Sequence, residues 1–112
     1  MSRDLLYLEH MRDALRRILE LVGPDHDLFL NDRTKQEAVI RNFEVLGEAA
    51  KRISAATRQI EPDVPWRQFA AFRDVLIHKY DAIDLRVVWE TAVRRVPDAL
   101  HKIEELLRVD GV

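Results

Sequence analysis

Apolar residues recur along the chain at three- and four-residue spacing, the period of a helix with one face in a core, and no β-branched cluster alternates with period two. Leu8, Met11, Leu15, Ile18 and Val22 make the first stripe and predict a helix from about Arg3 to Val22, stopped by Gly23-Pro24. A polar linker, Asp25 to Arg33, follows. Thr34 and Glu37 form a TxxE capping box for a second helix, with Asn31 or Asp32 as starts one turn earlier. Val39, Phe43, Leu46, Ala50 and Ile53 share one face of it. Gly47 falls inside this helix, where glycine costs about 1 kcal/mol relative to alanine, and two readings stay open: close approach of another backbone, or simple tolerance.

Glu61-Pro62-Asp63-Val64-Pro65 reads as a rigid connector, and Pro65 suits the first turn of a third helix because its missing N–H would have no partner there. Trp66, Phe69, Ala70, Phe72 and Leu76 supply that helix with apolar surface, and it should end near His78. Asp84 is placed to cap a fourth helix bearing Leu85, Val88, Trp89, Ala92, Val96, Leu100, Ile103 and Leu107, with a kink expected at Pro97. These elements predict an all-α fold, an antiparallel bundle of four main helices. At 112 residues the chain fits one domain, spanning 1–112, and can bury a single core without staples.

Composition narrows the chemistry. Cysteine is absent, which removes disulfides, thiol nucleophiles and Cys-ligated zinc together. No apolar run approaches the ~20 residues of a membrane span, so the expectation is a soluble, cytoplasmic protein. Lys and Arg number 18 against 20 Asp and Glu, a formal charge of −2, whereas a bulk polyanion binder is normally basic. An RNA partner would need a local patch. Arg16 with Arg17, Lys51 with Arg52, and Arg94 with Arg95 are the available pairs, each more often an ordinary solvated helix face.

The most informative string is Arg73-Asp74-Val75-Leu76-Ile77-His78-Lys79-Tyr80, an RxxxxHxY pattern at the end of the third helix. A guanidinium, an imidazole and a phenol are groups that can hold and cleave a phosphodiester without a metal. Histidine moves protons near neutral pH, and arginine offers a planar fork of donors to a phosphorane-like transition state. Positions five apart on a straight helix diverge by about 140°, so Arg73 and His78 converge only if the helix frays at His78 or if two protomers pool their copies across a twofold axis. The apolar content of the first and last helices also points to a homodimer. His10, His26 and His101 lack metal-like spacing and read as surface, and no metal site is expected. Glu44 and Glu48 lie one turn apart and could act as an acid/base pair, but Glu48 also stands four residues before Arg52, the ordinary helix ion pair.

Val64-Pro65-Trp66 leading into Arg73 through Tyr80, together with Asn42-Phe43-Glu44-Val45-Leu46-Gly47-Glu48-Ala49-Ala50-Lys51, resembles the HepT-like proteins of the HEPN superfamily over nearly the whole chain. The resemblance implies a homodimeric ribonuclease toxin of a type II- or VII-like toxin–antitoxin module, with a minimal nucleotidyltransferase antitoxin as partner and RNA (tRNA or mRNA) as substrate. It implies Arg73 and His78 as the nuclease residues, and Tyr80 as the hydroxyl to which the partner attaches AMP. No cofactor is implied for cleavage. Asp74 departs from the asparagine common at that position in the superfamily; it can still accept a hydrogen bond and orient the imidazole, but it sets a negative charge beside the phosphate site. The competing reading is a non-catalytic HEPN dimer that docks a nucleotidyltransferase and binds RNA or nucleotide.

Overall fold

The computed structural model describes residues 3–108, which form helices α1 (Asp4–Val22), α2 (His26–Leu30), α3 (Arg33–Arg52), α4 (Ala55–Ile60), α5 (Trp66–His78) and α6 (Leu85–Arg108), with a 3-10 turn at Tyr80–Ala82. Four long helices carry the fold, as the periodicity predicts, and no strand occurs among the described residues. The predicted stripe of α1 is the buried one: Leu8, Met11, Leu15 and Ile18 are fully covered and Val22 almost so. Gly23 ends α1 at φ 65°, a left-handed conformation that glycine adopts without a Cβ penalty.

α1 packs against both α3 and α6, and α5 packs against α3. Contact between α5 and α6 is sparser, and Gln68, Phe69, Phe72, Thr91 and Arg95 line a shallow groove along that seam. The start of α1 is tied to the end of α3 by a buried carboxylate, which sets the two helices antiparallel. Asp4 accepts from the Ser54 N–H at 3.0 Å, the Ser54 hydroxyl at 2.5 Å and the Thr57 hydroxyl at 2.6 Å. Ser54 in turn caps α4 through the Thr57 N–H.

Four local details refine the sequence reading, the second by selecting the earlier start it offered at Asp32. The polar linker contains α2, capped by Asp25, whose carboxylate accepts from the N–H groups of Asp27 and Leu28. Five residues are too few to show periodicity, yet Phe29 is fully buried and its ring lies 5.8 Å from that of Trp89. The capping box at Thr34 does not form: Asp32 is the N-cap and accepts from the Lys35 N–H at 3.0 Å, while Glu37 pairs with Arg33. An aspartate two residues upstream reached the free donors first. The segment after Ile53 also folds into α4, from which Arg58 donates to the Ala50 and Lys51 carbonyls and satisfies the C-terminal end of α3. Pro65 sits at the N-cap of α5 rather than inside its first turn. Pro97 lies within α6, whose helical assignment runs unbroken from Leu85 to Arg108.

Gly47 is where α3 and α5 meet. A Cβ added there would lie 2.3 Å from the Arg73 Cβ and 2.6 Å from the Phe69 carbonyl oxygen. Of the two readings of this glycine, close backbone approach is the one observed. The contact brings the middle of α5, and Arg73 with it, against α3.

Candidate active site

Arg73 projects from α5 into the crossing with α3 with only a quarter of its side chain exposed. Its Nε lies 3.1 Å from Glu48 Oε2, and its Nη1 donates to Asp74 Oδ1 at 2.8 Å. The other oxygen of Glu48 accepts from Arg52 Nη2 and Nε at 2.8 and 3.1 Å. Glu48 therefore bridges two guanidinium groups. The Arg52 hydrogen bonds, reinforced by the charges of Arg73, Arg52 and Lys51 and opposed by partial desolvation, hold its carboxyl below the ordinary value. The helix pair Glu48–Arg52 was legible from four-residue spacing; the link to Arg73 depends on the α3–α5 crossing.

His78 is the last residue of α5, Lys79 is its C-cap, and Tyr80 opens the 3-10 turn with 78% of its surface exposed. His78 is likewise exposed, and among the described residues neither side chain has a hydrogen-bond partner. The Asp74 carboxylate faces Arg73, so in the single chain it orients the guanidinium and not the imidazole.

A cleft of about 200 Å³ opens beside Arg73, lined by Tyr7, His10, Arg41, Glu44, Val45, Glu48, Ala49 and Ile77. Ile77, not His78, joins Arg73 as the α5 residue lining it, in line with the angular divergence of Arg73 and His78. The single chain thus surrounds Arg73 with residues of α1 and α3 and leaves His78 and Tyr80 exposed at the end of α5. His10, read from sequence as surface, is exposed but belongs to this cleft, its ring edge-on to Tyr7 at 5.9 Å. Their three-residue spacing in α1 was the available signal; its meaning depended on which helix packed opposite. His26 lies edge-on to Trp89, and His101 pairs with Glu105 at 3.0 Å.

Each basic pair suggested by the sequence has one member occupied by a carboxylate. Arg16 bonds Glu104 across α1 and α6, Arg52 bonds Glu48, and Arg94 bonds Glu90. Among the described residues no group of three His, Asp or Glu side chains is placed to hold a metal ion, and no helix is long and apolar enough to cross a membrane. The larger cleft of about 680 Å³, between α4, the start of α5 and Arg95, is lined by Val64, Pro65 and Trp66 but by none of Arg73, His78 and Tyr80.

Comparison with known proteins agrees with these features. The family model described as "Ribonuclease HepT-like" matches residues 11–106. The chain is 40% identical over 101 residues to "Probable ribonuclease HepT" of Thermococcus cleftensis, covering 89% of this chain and 92% of that protein. It is 33% identical over 103 residues to a protein of Caldanaerobacter subterraneus and 37% identical over 108 residues to one of Methanocaldococcus jannaschii, both named "Putative RNase". Those alignments cover 91% and 95% of this chain, and 92% and 87% of the relatives. No solved structure matches significantly. A helical bundle carrying the Arg73–His78–Tyr80 string, matched along most of its length by these proteins, belongs to the HepT-like ribonuclease family.

Proposed function

We propose that this protein is a metal-independent endoribonuclease, the toxin of a toxin–antitoxin module, and that the whole chain acts as one unit within a homodimer. The 2′-oxygen of RNA attacks the adjacent phosphorus, the 5′-oxygen leaves with a proton, and a 2′,3′-cyclic phosphate remains. His78 transfers a proton to or from these oxygens, and Arg73 clamps the phosphate through the guanidinium face not taken by Glu48 and Asp74. The observation that carries this reading is the division of the motif: Arg73 is fixed in a half-buried crossing, while His78 and Tyr80 project outward from the end of the same helix. A twofold axis that brings the partner's α5 end against this cleft would join the halves. Tyr80, exposed two residues after His78, is open to AMP transfer by a nucleotidyltransferase, and added phosphates would compete with RNA for Arg73.

One observation favours the non-catalytic alternative: two carboxylates already offset the charge of Arg73. Cleavage assays on purified protein separate the readings. His78→Ala should abolish cleavage with the helical content intact, Arg73→Ala should lower it by several orders of magnitude, and EDTA should have no effect. Full activity in folded His78→Ala refutes the mechanism. A monomer in sedimentation at tens of micromolar refutes the shared site.

A further inference from the structure

The cleft beside Arg73 contains more recognition chemistry than a phosphate clamp uses. Tyr7 and His10 contribute two ring systems, Val45, Ala49 and Ile77 an apolar lining, and Glu44 and Glu48 two carboxylates. Glu48 is engaged by both Arg52 and Arg73. Glu44 is not: Arg41, itself largely exposed, donates to one of its oxygens at a long 3.4 Å, and among the described residues the other oxygen has no hydrogen bond. At about 200 Å³ the cleft is smaller than the roughly 300–1,000 Å³ of sites for drug-sized ligands, so it suits a single ring system. As many carboxylates as guanidinium groups line it, which disfavours a second phosphate. A flat, uncharged ring with hydrogen-bond donors on its edge suits the two rings, the apolar lining and the open oxygen of Glu44.

We propose that this cleft is a nucleobase subsite that selects guanine next to the phosphate held by Arg73, an inference resting on the nuclease reading above. The base stacks on the exposed His10 ring, and its Watson–Crick edge meets Glu44. Guanine presents two adjacent donors, N1–H and the 2-amino group, which match the two oxygens of a carboxylate. Adenine and cytosine set a ring acceptor beside their amino group, and uracil flanks its one donor with two carbonyls, so each places an acceptor against the Glu44 charge. Single-stranded RNA is commonly read in this way, by stacking on side-chain rings and by contacts to base edges.

The test separates recognition from cutting by using the His78→Ala protein with fluorescein-labelled uridine hexamers that carry one central guanosine, inosine or adenosine. Anisotropy titrations should show the guanosine hexamer binding on the order of tenfold more tightly than the adenosine one, with inosine, which lacks the 2-amino donor, in between. Glu44→Gln in the same background should erase the ranking while circular dichroism shows the same helical content. Equal binding of the three hexamers, or a guanosine preference that survives Glu44→Gln, overturns the subsite. If the ranking holds but the protein with His78 intact cuts no RNA, the subsite stands and the nuclease reading falls. Cleavage by that protein with no base preference at either side of the cut, together with equal binding, removes the subsite alone.

Discussion

Replacing Gly47 by alanine sets two effects of opposite sign against each other. In a helix interior alanine is favoured over glycine by about 1 kcal/mol, so an isolated α3 would gain. In the folded protein the new methyl would lie 2.3 Å from the Arg73 Cβ and 2.6 Å from the Phe69 carbonyl, where carbon atoms prefer separations of about 3.5–4.0 Å. Neither neighbour is the end of a flexible side chain, so relief requires α5 to move away by roughly 1 Å, which loosens the Phe43–Phe72 ring contact and the packing of Phe69. Overpacking of this kind costs about 1–3 kcal/mol, and more when backbone must shift, so the clash outweighs the propensity gain and leaves a net loss of roughly 1–2 kcal/mol. In a chain of this size that loss lowers the melting temperature by about 4–10 °C. The same displacement lengthens the 3.1 Å link between Arg73 and Glu48, and cleavage should fall with stability. Thermal unfolding followed by circular dichroism, with RNase assays well below the transition, checks both. A melting temperature equal to or above that of the parent, with unchanged cleavage, would refute the close-approach argument.

The remaining predictions concern other links in the structure. Glu48 has a folded-state carboxyl value held below its ordinary 4.5, so its contribution to stability is present above that value and is lost as pH falls through the lower folded one. Glu48→Gln should therefore flatten the acid limb of a denaturant-midpoint against pH curve below about pH 5, an effect kept modest by solvent screening, and an unchanged limb counts against the bridge. Asp4→Ala strips acceptors from the Ser54 N–H and the Ser54 and Thr57 hydroxyls, and urea unfolding should report a loss of roughly 2–4 kcal/mol. On the proposed regulation, co-expression with a minimal nucleotidyltransferase should add one or more adenylates at Tyr80, seen by intact-mass spectrometry, and Tyr80→Phe should escape both the mass shift and the loss of cleavage. Adenylate on a different residue refutes the assignment of Tyr80.

Helical class, the four long helices and their buried faces were legible in the chain because a 3.6-residue period is a local property: the residues that point inward in α1 are those the repeat picks out. The RxxxxHxY string and the family resemblance were legible for the same reason, being contiguous. Where a signal was shorter than a turn or two, it failed: α2 and α4 have too few residues to show a stripe, and the first turn of α3 offered both Asp32 and Thr34 as caps. Packing decided the rest. That Gly47 admits Arg73, that Glu48 joins Arg73 to Arg52, and that His10 and Glu44 open onto the same cleft all depend on which helix faces which. Residues in α1, α3 and α5 are separated by dozens of positions, and no local period encodes their meeting; the crossing of the helices, set by side-chain volume at the contact, brings them together.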